Sequence, residues 1–393
     1  MLILVINSGS SSVKFQIFEK NSKQLKPIVK GIADALKQKH SEIRIADKSW
    51  KMPLLNHTDA LKKIFKQLLS EKWLGNLSEI EVIGHRVVHG GEKYFHSTKI
   101  TANVIKDIKK LSSLAPLHNP PNLEGIVACQ KIFKKTPQFA IFDTAFHLTV
   151  PQKAYLYGID TDYYRKFKVR RYGFHGINHE YISQTAKQIL KKHGYKAQKI
   201  LSIHLGNGCS ISGIKDGKSL ENTMGFSPLE GLIMGTRSGD IDPALIPYLE
   251  KNLHLNTAQV LEILNKKSGL LGISHLGSDM RVIWAACQKN DQKAKLALEM
   301  YCYSIAKHLN GIIGAINGLD AIIFTGGIGE NAWYVRQEVI NYLGYLNIKL
   351  DNSKNHLNKE FIQSKNSSKP VLIIPANEEL MIAEKTLKHL LKS

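Results

Sequence analysis

Two arginines stand out for chemistry because each lies among small residues. Arg86 falls in HRVVHGGEKY, on an expected strand that runs to Gly90–Gly91, and Arg237 falls in GTRSGDIDP, a turn flanked by Gly235 and Gly239. A guanidinium in a glycine-lined turn lets an anion approach closely and holds carboxylate or phosphate through two parallel N–H bonds. Asp143 closes the apolar run FAIFD. A carboxylate there is costly unless it is paired or near a metal, and strand C-termini are where α/β folds bind ligands. Of sixteen histidines, His175 in YGFHG and His204 before GNG adjoin glycine turns and are the two most suited to chemistry. Lys14 and Asn7 share the segment NSGSSSVK; the first suits a phosphate, and the second carries an oxygen that reaches a metal or its bound water.

The elements that must position these residues are short apolar strands leading into tight polar turns. LILVI precedes NSGSSSVK (7–14), ILSIHL precedes GNGCSIS (206–212), AIIF precedes TGGIGEN (325–331), and VLIIP precedes ANEEL (376–380). Such turns expose backbone N–H groups to phosphate. None is a Walker loop, since GxxxxGK[ST] is absent. The first two resemble copies of each other, half the chain apart, and each leads into another strand. This predicts two related α/β halves facing each other across a cleft, one phosphate turn from each. Leu61, Ile64, Phe65, Leu68 and Leu69 carry helical spacing, a longer helix is expected over 295–316, and 352–369 reads as a surface helix or loop. Strands alternating with helices point to an α/β class with largely parallel sheets.

Composition bounds the function. The chain has 393 residues, 43% hydrophobic and 22% charged, which is globular composition; 54 Lys+Arg against 33 Asp+Glu leave a formal charge of +21. That charge favours anionic ligands of any size. Aromatic residues are not interleaved with the basic ones, and no zinc-finger or RNP pattern occurs, so a nucleic-acid polymer is not selected. The densest run, RKFKVRR (165–171), reads as a solvated basic face. Cys129, Cys209, Cys287 and Cys302 are far apart and fit buried thiols in a reduced compartment. No targeting or membrane segment is read, so a cytoplasmic protein with no membrane partner is expected.

Taken in chain order, NSGSSSVK, GHRVVHGGE, LAPLHNPPN, FDTAFH, RRYGFHG, HLGNGCS, FSPLEG, MGTRSGDIDP, SDMR, FTGGIGEN and NEELMIA resemble the acetokinase family across essentially the whole chain. The resemblance implies two duplicated actin-like, ribonuclease-H-like α/β domains flanking a nucleotide cleft. These are 1–147, completed by a C-terminal helix over 382–393, and 148–381, which binds the nucleotide. It implies reversible, Mg²⁺-dependent phosphoryl transfer from ATP to acetate, giving acetyl phosphate and ADP, with Mn²⁺ as the alternative metal. A homodimer is implied, and a place in acetyl-CoA biosynthesis. Carried over by position, Asn7 and Glu378 match metal residues, Arg86 the carboxylate binder, and Asp143 the residue usually labelled the acid/base. His175 and Arg237 match the transition-state stabilisers. Lys14, the phosphate loop His204, Leu205, Gly206, Asn207 and Gly208, the adenosine contact Asp279, Met280 and Arg281, and the closing loop Gly327, Ile328, Gly329, Glu330 and Asn331 match nucleotide contacts. Val88, Leu117, Phe174 and Pro228 match the apolar pocket for the substrate methyl.

The chemistry agrees with those roles and narrows one. Acetate titrates near pH 4–5, as about any carboxylic acid does, so no proton has to leave it at pH 7. Asp143 is therefore read as orienting metal-bound water or an arginine rather than as a general base. Val88 is β-branched and stiff, which shortens the pocket relative to alanine. The chain departs from the family pattern at INHEY, where Thr-Ser usually precedes His179, and at His275–Gly277 and Val282 around SDMR, on the adenosine side. Three alternatives stay open: a propionate or butyrate kinase of the same fold, a non-catalytic nucleotide-binding module, and a nucleic-acid-binding role resting on charge.

Overall fold

The computed structural model describes residues 1–21, 24–38 and 40–391. The chain divides into two compact units, Met1–Ala145 with Asn377–Ser393, and Phe146–Ala376. In the first, β1 (Leu2–Ser8), β2 (Val13–Lys20), β3 (Leu25–Asp34), β4 (Glu42–Ile45), β5 (Lys48–Lys51), β6 (Ile80–Val87), β7 (Thr98–Lys99) and β8 (Gln138–Phe142) form one sheet in the order β5-β4-β3-β2-β1-β6-β8-β7. In the second, β9 (Lys199–Leu205), β10 (Cys209–Lys215), β11 (Lys218–Asn222), β12 (Ala321–Thr325) and β13 (Val371–Ile373) are ordered β11-β10-β9-β12-β13.

The expected duplication is present as a shared topology. β3-β2-β1-β6-β8 and β11-β10-β9-β12-β13 have the same strand order, and in each the first two pairings are antiparallel and the last two parallel. The expectation of largely parallel sheets fails for a local reason. Each of the first two polar turns joins adjacent strands as a hairpin, Ser8 opposite Val13 and Leu205 opposite Cys209, and a short hairpin joins only antiparallel strands.

Helices cover these sheets because their apolar residues recur on one face. His57–Ser70 starts at Asn56, whose side chain accepts from Asp59 N–H at 2.9 Å, and buries Ala60, Leu61, Ile64, Phe65 and Leu68. Phe65 meets Phe133 edge-on with centroids 4.9 Å apart. The long helix of the second unit runs Gln292–Ala315, capped by Asp291. The 352–369 segment is a short helix, Asn352–His356, followed by irregular chain. The helix closing the chain is continuous from Glu378 to Leu390. The unit boundary accordingly falls at Ala376/Asn377 rather than inside that helix at 381/382, and Glu378 belongs to the first unit. Residues 392–393 of the expected closing helix lie outside the described residues.

The basic run at 165–171 is not one solvated face. Arg165, Lys166 and Lys168 are exposed, but Arg170 is buried with its guanidinium 3.7 Å from the Tyr155 ring centre, and Arg171 pairs with Glu230 at 3.0 Å. All four cysteines are buried and free. No helix among the described residues is long and apolar enough to cross a membrane.

The closing helix packs so tightly on β6 that a side chain at Gly84 would meet it. A Cβ there would lie 2.3 Å from Thr386 Oγ1 and 2.9 Å from Ile382 Cγ2. Gly84→Ala is expected to lower stability by roughly 1–3 kcal/mol through overpacking, measured as the urea midpoint; an unchanged midpoint would mean the helix is not seated as described.

Candidate functional site

The first unit gathers its candidate residues at the C-terminal ends of its parallel strands. Asn7 lies at the end of β1, opposite Lys14 on β2; Arg86 lies near the end of β6; Asp143 directly follows β8; and Glu378 opens the closing helix. Arg86 Nη2 donates to Asp143 Oδ2 at 2.5 Å, Arg86 Nη1 to Asn7 Oδ1 at 3.4 Å, and Arg86 Nε lies 3.8 Å from Glu378 Oε2. Asp143 is 1% exposed. Burial alone would depress the Arg86 guanidinium, but Asp143 and Glu378 beside it raise its pKa above the ordinary value. Lys14 is exposed.

Two carboxyl groups share this one guanidinium, and the imbalance falls on Glu378. Burial pushes its carboxyl up to about 7; Arg86 pulls the other way and Asp143 adds to the rise. An added cation would relieve that strain, so the donor set fits a divalent metal. Among the described residues no three His, Cys, Asp or Glu side chains gather into a complete metal cage. A hard divalent ion such as Mg²⁺ is usually held by one or two carboxylates, with water and substrate phosphates completing its shell. Asn7 and Glu378 would hold it.

Two asparagines of HNPPN, unassigned in the sequence, shape the same corner. Asn122 Oδ1 accepts from Val88 N–H at 3.0 Å while its amide donates to Ser8 O at 2.6 Å, and Asn119 exchanges two bonds with the backbone of His89. Their spacing of three on a helix starting at Asn119 was the available signal. His57 Nε2 donates to Gly9 O at 2.8 Å and braces the first polar turn. Val88 is 6% exposed but Leu117 is 56% exposed.

The second unit gathers a different set, cationic and aromatic. His175 sits in the left-handed region at φ 56°, directly before the helix Gly176–Lys192. That backbone costs a non-glycine residue of the order of 1 kcal/mol and clusters at functional sites. His204, at the end of β9, lies with its ring centroid 4.4 Å from that of His175. Gly206, Asn207 and Gly208 form the β9–β10 turn after Leu205, with Gly206 N–H donating to Gly208 O at 3.1 Å. A Cβ at Gly208 would lie 3.3 Å from His175 Nε2 and 3.4 Å from Arg237 Nη1, so both groups face this turn at close range. Arg237 donates to Pro228 O at 3.0 Å and touches Met234 Sδ at 3.3 Å. Among the described residues it forms no ion pair, and burial lowers its pKa. A half-buried guanidinium without a carboxylate is a ready partner for an oxyanion. Phe174 is buried and Pro228 half-buried.

The remaining candidates of this unit take other forms than expected. Gly327, Ile328, Gly329, Glu330 and Asn331 belong to a short helix, Gly326–Asn331, rather than a loop, because Glu330 Oε1 accepts from both Gly326 N–H and Ala376 N–H at 2.9 Å and fixes the turn. Asp279 caps the helix Met280–Gln288 and holds Arg281 through Nη2 at 2.6 Å, leaving the arginine side chain 89% exposed. Met280 is buried.

Sequence reasoning missed a hydrogen-bonded set behind His175. Ser210 Oγ lies 2.9 Å from His175 Nδ1 and 2.8 Å from His179 Nε2, and His179 Nδ1 lies 2.8 Å from Ser202 Oγ. Asn178, at the departure from the family pattern, places its amide 2.8 Å from His204 Nδ1. The one available signal was that His179 is four residues, one helical turn, beyond His175.

Each unit's mixed sheet carries a polar hairpin turn with charged side chains beside it, and the shared strand order marks the two as copies of one α/β pattern. The acetokinase family model matches residues 2–384. An acetate kinase of Carboxydothermus hydrogenoformans is 48% identical over 99% of both chains, and one of Thermotoga maritima is 47% identical over 98% of both. Among solved structures, a propionate kinase from Francisella tularensis superposes with TM-score 0.93 at 41% identity, covering 98% of this chain and 99% of that one. Porphyromonas gingivalis acetate kinase superposes with TM-score 0.92 at 38% identity over 99% of each. The chain belongs to the acetokinase family.

The charge imbalance at Glu378 has a measurable sign. In metal-free protein its folded pKa of about 7 stands above the ordinary 4.5, so ionising it costs folding free energy as pH climbs between those values. Glu378→Gln is expected to be more stable than the unaltered protein at pH 8 by about 1–3 kcal/mol, read from urea unfolding, with the margin shrinking toward pH 5. Equal margins at both pH values would contradict the imbalance.

Proposed function

We propose that the chain catalyses reversible phosphoryl transfer between ATP and acetate, forming acetyl phosphate and ADP. The observation that carries the reading is the Arg86 fork, half-buried and held by Asp143, Asn7 and Glu378 in a member of the acetokinase family. In the forward direction a carboxylate oxygen attacks the γ-phosphorus and the bond to the ADP oxygen breaks. Charge spreads over three equatorial oxygens, and catalysis is positioning plus neutralisation.

The residue roles combine the family resemblance with the surroundings described above. Arg86 holds the acetate carboxylate, and Asp143 keeps the guanidinium plane fixed rather than taking a proton. Arg237, His175 and the amides of the Gly206–Gly208 turn meet the phosphoryl oxygens. Lys14 and the 327–331 segment act on the nucleotide phosphates, and Asp279–Arg281 on the nucleoside. Mg²⁺, held by Asn7 and Glu378, supplies charge neutralisation to the nucleotide phosphates when bound. Val88, Leu117, Phe174 and Pro228 are the apolar residues that the resemblance assigns to the methyl group. The same reading takes the protein as a cytoplasmic homodimer.

Propionate is the second reading, favoured by the Francisella tularensis propionate kinase among the structural neighbours. One methylene is worth only about 1–3 kcal/mol in an apolar pocket, so propionate is a poorer substrate rather than an excluded one. Trapping of acyl phosphate by hydroxylamine, with ATP, Mg²⁺ and each acid, is expected to give acetate over propionate over butyrate. Val88→Ala is expected to raise the propionate-to-acetate ratio. Absence of hydroxamate with all three acids would overturn the function, and an unchanged ratio would overturn the pocket.

A further inference from the structure

The serine–histidine set behind His175 has a direction, and hydroxyl protons reveal it. Ser202 is fully buried on β9, and its hydroxyl has one hydrogen-bond partner among the described residues, His179 Nδ1 at 2.8 Å. A buried hydroxyl proton left without an acceptor costs about 1–3 kcal/mol, so Ser202 donates and His179 Nδ1 accepts. His179 is fully buried, and burial, reinforced by His147 and His204, drives its pKa well below the ordinary value. It is neutral and carries its one proton on Nε2. That proton goes to Ser210 Oγ at 2.8 Å. With an acceptor position filled, Ser210 turns its own proton to His175 Nδ1 at 2.9 Å.

We propose that Ser202, His179 and Ser210 form a one-way hydrogen-bond chain that holds His175 as the Nε2–H tautomer, a donor aimed at the Gly206–Gly208 turn. His175 Nε2 is the nitrogen beside the open face of Gly208, where Arg237 Nη1 also lies. The left-handed backbone at His175 fixes the ring's approach, and the chain fixes which nitrogen bears hydrogen. A neutral imidazole then offers an N–H to an oxyanion without first gaining a proton. Ser210, His179 and Ser202 are positioning residues, since they act through His175.

Only the kinetic arm of the test rests on the phosphoryl-transfer reading; the tautomer is read without substrate. With ¹⁵N-labelled histidine in the full chain, and His175 assigned by His175→Gln, the unaltered protein is expected to show hydrogen on Nε2. Ser210→Ala is expected to abolish that bias and lower kcat about tenfold or more, part of the 10²–10³ that loss of one preorganised donor costs. KM for acetate and ATP stays within about threefold, and Ser210→Thr, which keeps the hydroxyl, recovers both tautomer and rate. Ser202→Ala, remote from the turn, weakens the same bias and serves where Ser210→Ala melts early. Hydrogen on Nδ1 in the unaltered protein, or an unchanged tautomer and kcat in a folded Ser210→Ala, would overturn the proposal.

Discussion

A half-buried guanidinium with no acid beside it is costly, and the second unit keeps Arg237 in that state. Its hydrogen-bond partners are a carbonyl oxygen and a thioether, Pro228 O and Met234 Sδ, and burial lowers its pKa. Neither partner cancels its charge. An arriving anion would offset that cost. Gly208 carries no side chain beside Arg237 Nη1, and His175 Nε2 lies against the same glycine.

The first unit holds the opposite imbalance. Arg86 is matched by two carboxyls, Asp143 and Glu378, so its fork is fixed while negative charge is left over. A fixed fork suits a planar carboxylate, and surplus negative charge suits a cation. One strand order thus carries two polarities, because the strand ends bear Asp143 in one copy and His204 with its glycine turn in the other. The mixed sheet serves both. Its hairpin presents a polar turn, and its parallel strands end side by side, so residues distant in sequence meet at neighbouring strand ends.

The groups most legible in the sequence were those that break an apolar pattern. Asp143 after FAIF, Arg86 before Gly90–Gly91, and His175 between Phe174 and Gly176 each interrupt a run, and the structure places each at the end of an element. The supporting residues were hidden because they obey the pattern. Ser202 and Ser210 alternate with isoleucines as any buried strand residue would, and His179 lies on the buried side of an ordinary helix. Asn119 and Asn122 read as loop chemistry but serve the backbone of Val88 and His89 from within a helix. Arg170 read as part of a solvated run, yet aromatic rings cover it. Sheet direction was misread because alternating strands and helices suggest parallel pairing, while the hairpins that matter most are antiparallel.

The claim that Arg237 is kept unpaired for charge arising during transfer is tested most directly by steady-state kinetics of Arg237→Ala. The account predicts a fall in kcat of about 10²–10³, KM for acetate and ATP changed no more than a few-fold, and partial recovery of kcat by free guanidinium. A raised KM with kcat intact, and no response to guanidinium, would contradict it.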